Sequence, residues 1–173
     1  MTPTLYVMVG LPGTGKSTLV NTVLRERVGR VFVYSTDAII EEWAASQGWS
    51  YDFAFSKYIK KATTEMNNRL RTAVESRQDV IWDQTNLSAR KRESILDRFP
   101  RDYRRECWVV EPPQGDSQVS DWQWRLKNRP GKTIPGHIIE SMCDSYVEPV
   151  LSEGFDRVVK YNMYGMETWE IST

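Results

Sequence analysis

The sequence contains few of the residues that build disulfide frameworks or histidine-based metal sites. Its 173 residues include two cysteines and one histidine. Cys107 and Cys143 do not have the spacing of a metal-binding pair. A disulfide-rich scaffold and a histidine-rich metal site are therefore excluded. Cys107 lies in an apolar run and is expected to pack as a small hydrophobic residue, which fits a reducing compartment.

The sequence also lacks net charge and long hydrophobic runs. Its 23 Lys and Arg residues balance its 23 Asp and Glu residues. Net charge therefore indicates no nucleic-acid partner, although a local basic groove is compatible with this balance. No apolar run approaches the ~20 residues of a membrane helix, and no basic stretch precedes an apolar one at the start. We expect a cytoplasmic protein with one domain over residues 1–173 and no membrane contact.

One motif is complete. Residues 10–17 read Gly-Leu-Pro-Gly-Thr-Gly-Lys-Ser, which is the phosphate-binding loop pattern G-x-x-x-x-G-K-[ST]. An apolar run at residues 5–9 precedes it and a helical pattern follows, as the motif requires. Such a loop turns backbone N–H groups toward phosphate oxygens, its lysine reaches the β- and γ-phosphates, and its Ser hydroxyl ligates Mg²⁺. The chain is therefore expected to bind a nucleoside triphosphate with Mg²⁺.

Short apolar runs alternate with helical patterns along the chain. The predicted strands are residues 5–9, 31–34, 80–82, 108–110 and 158–159, with a small extra strand at Trp169 and Ile171. Helices are predicted at about residues 38–45, 51–78, 88–99 and 117–128. This alternation predicts an α/β fold with about five mainly parallel strands and helices on both faces. With the phosphate-loop motif, the expected fold is that of the P-loop NTPases.

Two aspartates follow predicted strands at the edge where ligands bind in such a sheet. Asp37 follows residues 31–34 and precedes a helix, so it is either a helix N-cap or a base that accepts a proton from an attacking hydroxyl. Asp83 follows residues 80–82 and is either a turn residue or, together with Ser17, a Mg²⁺ ligand. Trp43 and Trp49 lie near Asp37 in sequence and are candidates for contact with an acceptor.

Two groups of cations are further candidates. Residues 125–135 place arginines next to Pro130 and Gly131, which indicates either a solvated loop or a mobile lid that closes on the triphosphate. Cations at 90–92 lie at a helix start, where the helix dipole disfavours them, so they are candidates for an acceptor phosphate. Thr85 and Asn86 either bond a ligand or shape the turn before this helix.

Together these segments resemble the polynucleotide 5′-hydroxyl kinases, most closely the kinase domain of the bacteriophage-type enzymes. The resemblance spans residues 4–150. The phosphate loop alone is shared by many unrelated activities. More specific are Asp-Gln-Thr-Asn-Leu at 83–87 and Asn-Arg-Pro-Gly-Lys-Thr-Ile-Pro at 128–135. The resemblance implies transfer of the γ-phosphate of ATP to the 5′-hydroxyl of a nucleic acid, with Mg²⁺ as cofactor.

Residues and resemblance together give four sets of candidates. The catalytic set is Lys16, Asp37 and Arg129. The ATP-binding set is Gly10, Gly13, Thr14, Gly15, Lys16, Ser17, Thr18, Arg125 and Arg129. The acceptor-binding set is Asp37, Thr85, Asn86, Arg90, Lys91 and Arg92. The metal set is Ser17 and Asp83.

One position departs from the family. The family often has an arginine three residues after the catalytic aspartate, where it holds the phosphate next to the terminal nucleoside, and here that position is Ile40. Either another cation takes this role or the acceptor differs. The alternatives are a kinase acting on a hydroxymethylated base in DNA, on a small sugar or on a tRNA-linked acceptor, and a nucleotide-dependent switch without acceptor chemistry.

Overall fold

The structure is a computed structural model that describes residues 2–26 and 31–173, with side chains described at 2–22 and 31–173. The strands are β1 (Thr4–Val9), β2 (Val31–Tyr34), β3 (Asp79–Trp82), β4 (Arg104–Val110), β5 (Arg157–Tyr161) and β6 (Glu167–Ser172). The helices are α1 (Lys16–Glu26), α2 (Thr36–Gln47), α3 (Tyr51–Glu75), α4 (Ala89–Leu96), α5 (Gly115–Lys127) and α6 (Gly136–Ser145), with a 3-10 turn at Leu151–Glu153.

The strands form one sheet in the order β2-β3-β1-β4-β5-β6. The pairs among β1 to β5 are parallel, and β6 runs antiparallel to β5 at the edge. The predicted α/β fold is confirmed. The small extra strand at Trp169 and Ile171 is β6, which raises the predicted five strands to six.

The core lies on both faces of the sheet. In β1 the alternate residues Leu5, Val7 and Val9 pack into one cluster with α2, α3 and α4. Tyr6 and Met8 point the other way and pack against α1. Because successive strand residues face opposite sides, a continuous apolar run is required where both faces are covered by helices. No helix among the described residues combines the length and apolarity needed to span a bilayer.

The start of α2 differs from the sequence prediction. Ser35 is the N-cap of α2 and its side-chain oxygen accepts from the backbone N–H of Ala38 at 3.2 Å. Helix α2 therefore begins at Thr36, two residues before the predicted start. The interpretation of Asp37 as the N-cap is wrong, because Ser35 already satisfies that N–H. Asp37 lies in the first turn with its carboxylate free for other partners.

Candidate functional site

A large cleft follows the carboxyl ends of β1 to β5. Its walls come from the phosphate loop, the start of α2, one face of α3, the residues after β3, α4, and the segment between α5 and α6. The cleft encloses about 2190 Å³, whereas a pocket for one small ligand holds roughly 300–1,000 Å³. The cleft therefore has room for a nucleotide and a second substrate.

The phosphate loop has the tight backbone that its glycines allow. Gly13 and Gly15 have φ of +76° and +103°, a region that side chains with a Cβ rarely adopt. A Cβ on Gly10 would lie 3.2 Å from atoms of Lys16, Thr14 and Val110. The loop is also anchored from outside, because the indole N–H of Trp122 donates to the Pro12 carbonyl at 2.7 Å. These contacts leave a preformed cradle for phosphate.

Lys16 extends across this cradle. Its ammonium donates to the Leu11 carbonyl at 3.2 Å. Burial lowers the pKa of Lys16 to about 8, while the nearby carboxylates of Asp83 and Asp37 act in the opposite direction and the Arg129 guanidinium lowers the pKa further. A phosphate in the cradle would restore the charged form of the lysine. Ser17 and Thr18 are exposed at the start of α1 and also line the cleft.

Thr14 lines the cleft with the rest of the phosphate loop, but its side chain bonds within the loop. It is buried, and its hydroxyl donates to the Leu11 carbonyl at 2.7 Å. The side chain therefore closes the loop on itself and is not directed at a ligand.

Asp83 lies beside Lys16. Burial raises the pKa of Asp83, and the positive charge of Lys16 opposes this effect. No group of three or more His, Cys, Asp or Glu residues in the described part of the chain has the arrangement of a metal site. Mg²⁺ usually keeps several waters and takes only one or two protein ligands, so a carboxylate at Asp83 with the Ser17 hydroxyl fits Mg²⁺.

Asp37 faces the cleft from α2 and its side chain is 53% exposed. The hydroxyl of Tyr51 donates to Asp37 Oδ1 at 2.7 Å, and Lys132 Nζ lies 3.8 Å from Asp37 Oδ2. Burial and the bond to this carboxylate raise the pKa of Tyr51, so its hydroxyl remains a proton donor at neutral pH. Lys132 also pairs with Glu41 and lies over the Tyr51 ring, 4.5 Å from its centroid.

Sequence reasoning missed Tyr51, Glu41 and Lys132 as site residues. Lys132 lies within the predicted lid, so the sequence indicated its segment. Its contacts with Asp37 and Glu41 were not predicted. Tyr51 and Glu41 carry no motif. The only available signal is that Glu41 is one helical turn after Asp37.

The predicted lid divides into two parts. Arg125 belongs to α5 and is held in place, because Nη1 donates to the Met163 carbonyl at 2.9 Å and the guanidinium lies over the Tyr164 ring. Residues 128–135 form the connection from α5 to α6, and this segment brings Arg129 and Lys132 into the cleft. Arg129 is close enough to lower the pKa of Lys16. Within this segment, Arg129 therefore lies near the phosphate loop, and Lys132 lies beside α2.

Two residues of the predicted acceptor set have structural roles instead. Arg92 is fully buried and forms a bidentate pair with Glu153, at 2.7 and 2.8 Å, and its Nη1 donates to the carbonyls of Asn86 and Leu87. Asn86 is buried with φ of +47°, and its Nδ2 donates to the Met8 carbonyl at 2.7 Å. These bonds fix the turn after β3, so Arg92 is unavailable to an acceptor and the Asn86 amide N–H groups hold the turn to β1.

The other acceptor candidates differ in whether they line the cleft. Arg90 is exposed on the far side of α4 and lies outside the cleft, in a shallow depression beside Glu153. Thr85 and Lys91 line the cleft. Trp43 and Trp49 do not line it, because both pack around Tyr58 at the edge of the core. The aromatic residues facing the cleft near Asp37 are Tyr51 and Phe55.

Residues 5–149 match the sequence family described as an AAA domain (AAA_33). The chain belongs to this family. It is a P-loop kinase-like domain, with the six-stranded sheet and the glycine-rich loop described above.

Solved structures have the same fold at low identity. A putative kinase from Chloroflexus aurantiacus is 21% identical with a TM-score of 0.61, covering 94% of this chain and 89% of its own. A structure of the PezAT toxin–antitoxin system of Streptococcus pneumoniae is 15% identical with a TM-score of 0.66, covering 98% and 71%. A chain of a Pnkp1/Rnl/Hen1 complex is 21% identical with a TM-score of 0.52, covering 78% and 45%.

Proposed function

We propose that this domain is an ATP-dependent kinase that transfers the γ-phosphate to the 5′-hydroxyl of a polynucleotide, with Asp37 as the general base. The observation that supports this most is the position of Asp37. Its carboxylate is half exposed, held by Tyr51, and faces the same cleft as the phosphate loop. A carboxylate that only stabilised the start of α2 would need neither the hydrogen bond from Tyr51 nor a position in the cleft.

The proposed reaction uses each of these groups once. The acceptor hydroxyl oxygen forms a bond to the γ-phosphorus, its proton passes to Asp37, and the bond from the γ-phosphorus to the β,γ-bridging oxygen breaks to release ADP. Lys16 and Arg129 stabilise the charge on the transferred group. Ser17 and Asp83 would hold Mg²⁺, which when bound offsets charge on the phosphate oxygens.

The features of the cleft constrain the identity of the acceptor less than they constrain the nucleotide site. The polynucleotide is supported by the order of the motifs and by a cleft that continues well past Asp37. A gluconokinase and another sugar kinase also share this fold, so the fold does not select the acceptor. Ile40 is fully buried in the core, so position 40 cannot reach an acceptor phosphate. A hydroxymethylated base, a small sugar or a tRNA-linked hydroxyl therefore remains the second candidate acceptor.

Incubation with γ-labelled ATP and separate acceptors tests this function. The acceptors are a 5′-hydroxyl oligonucleotide, hydroxymethylated duplex DNA and a panel of sugars, and we expect label at the oligonucleotide 5′ end. Asp37→Asn is expected to abolish transfer while ATP binding persists. Asp116→Asn, an exposed carboxylate outside the cleft, is the matched control and is expected to transfer normally.

Other outcomes identify the alternatives. Label on a sugar or a modified base keeps the kinase chemistry and replaces the acceptor. ATP hydrolysis that no acceptor stimulates indicates a nucleotide switch. Normal transfer by Asp37→Asn contradicts the assignment of the base.

A further inference from the structure

The cleft extends from Asp37 into a groove between α3 and α4. One wall is a single face of α3, formed by Phe55, Ile59, Thr63 and Asn67 at four-residue intervals. The other wall is α4 and the turn that follows it, with Lys91, Ser94 and Arg98. We call this the α3–α4 groove.

The groove is too long for a small acceptor. Tyr51, one turn before Phe55, bonds Asp37 at the near end, and Asn67 bonds Arg98 at the far end, at 2.9 Å. Asn67 is twelve residues after Phe55, a rise of about 18 Å along the helix. A monosaccharide would fill only the first part of this length.

The groove carries positive charge that nothing in it balances. Lys91 lies in the first turn of α4, and Arg98 lies two residues past the end of this helix. Neither forms an ion pair within residues 2–22 and 31–173. Among the residues whose side chains are described, four carboxylates line the cleft: Asp37, Glu41, Asp52 and Asp83. All four lie at the end of the cleft near Asp37, which we call the catalytic end. Burial lowers the pKa of Lys91, and the charge of Arg98 adds a smaller effect in the same direction.

Contacts with Trp82 and Asn67 hold the Arg98 side chain in position. Its guanidinium lies over the Trp82 ring, 5.4 Å from the centroid, and Trp82 stacks on Tyr34 at 3.8 Å. Asn67 accepts from both Arg98 and the Tyr34 hydroxyl. Near Asp37, Phe55 is 41% exposed and stacks on Tyr51. Cations with an exposed aromatic ring are the combination that binds single-stranded nucleic acid.

We propose that the α3–α4 groove binds the acceptor strand, with its internal phosphates at Lys91 and Arg98. This inference rests on the proposed function and identifies where the strand lies beyond its first nucleotide. These two cations supply phosphate contacts that position 40 does not, and they act on nucleotides farther from the reacting hydroxyl. The site therefore selects polymers over mononucleotides.

Acceptor-length kinetics and direct binding test the groove. Wild type, Lys91→Gln and Arg98→Gln are assayed with 5′-hydroxyl acceptors from a nucleoside 3′-phosphate to a hexanucleotide. The wild-type KM should fall as the acceptor lengthens. Each variant should raise the hexanucleotide KM about tenfold, leaving ATP KM and mononucleotide kinetics unchanged. In parallel, fluorescence anisotropy of a labelled hexanucleotide should show a salt dependence of binding reduced by about 0.7 in log–log slope per cation.

The controls keep every outcome informative. Arg101→Gln removes an exposed arginine outside the cleft and should behave as wild type. If Arg98→Gln fails to fold, Lys91→Gln decides, because its side chain lies at the open surface. If the variants are active and their KM depends on acceptor length as in wild type, the proposed role of the groove is wrong and the kinase proposal is unaffected. A wild type that binds the hexanucleotide through these cations without transferring phosphate overturns the function and supports the groove. No binding and no transfer overturns both.

Discussion

At the scale of single residues, the hydroxyl of Tyr51 holds the proposed base in place. It donates to Asp37 Oδ1 at 2.7 Å from the first residue of α3. Tyr51→Phe removes this bond and leaves the ring. A hydrogen bond to a charged group contributes about 1.5–3 kcal/mol, so we expect kcat to fall at least tenfold while KM for ATP stays constant. Steady-state kinetics with the acceptor identified above would measure both.

Tyr58→Phe is the matched control for this substitution. Tyr58 is on the same helix, but its ring packs between Trp43 and Trp49 outside the cleft. The variant should retain the wild-type kcat. Equal rates in the two variants would show that the Tyr51 hydroxyl does not position the base.

Residues of the candidate site were predictable from sequence only where a motif or the end of a predicted strand marks them. The phosphate loop was found because its spacing encodes the chemistry, and Asp37 and Asp83 were found because they follow strands. Tyr51 and Arg98 were not found, because their partners Asp37 and Asn67 come from distant segments. Arg92 was misassigned for the same reason, since its carboxylate partner is 61 residues away.

At the scale of elements, most of the fold followed from periodicity. Each predicted strand and helix exists, because short continuous apolar runs that alternate with segments of helical period leave few alternatives to a sheet covered on both faces. Boundaries were less predictable. Strand β4 extends back to Arg104, where charged residues conceal it. There Glu106 is almost fully buried but pairs with Arg104 and Arg157, a compensation that periodicity cannot show.

The connection between α5 and α6 yields a prediction about an element. Lys132 joins this connection to α2 through Glu41. Glu41→Gln removes that pair while keeping Asp37. Partly exposed ion pairs contribute about 0.2–1 kcal/mol, so amide hydrogen exchange in residues 128–135 should accelerate up to about fivefold. Hydrogen-exchange mass spectrometry on the protein without ligand measures this.

Glu42→Gln provides the comparison, because Glu42 is exposed on the same helix and outside the cleft. Its exchange should match the wild type. Nucleotide should slow exchange in 128–135 for all three proteins, since Arg129 would gain the phosphates as partners. Unchanged exchange in Glu41→Gln would mean that other contacts hold the connection.

At the scale of the whole molecule, a net charge of zero conceals an uneven distribution of charge along one cleft. The catalytic end carries carboxylates together with cations such as Lys16 and Lys132, whereas Lys91 and Arg98 line the α3–α4 groove, in which the described residues place no carboxylate beside them. Composition could not reveal this, because the parallel sheet brings segments distant in sequence to one edge. The location of the candidate site was therefore predictable from the carboxyl ends of the predicted parallel strands, whereas its extent required the packing of α3 beside α4.

Ligand binding should stabilise the whole domain in a way that separates Asp83 from the phosphate loop. Nucleotide at 100 times its Kd adds about 2.7 kcal/mol, which for this length raises Tm by about 5–10 °C. Adding Mg²⁺ should increase the shift further in wild type. Asp83→Asn should retain the shift given by nucleotide alone but lose the Mg²⁺ increment, and Asp116→Asn should keep both. A full Mg²⁺ increment in Asp83→Asn, measured by differential scanning calorimetry, would instead assign Asp83 to the turn after β3, because a ligand bound only to the folded state stabilises through the contacts it makes.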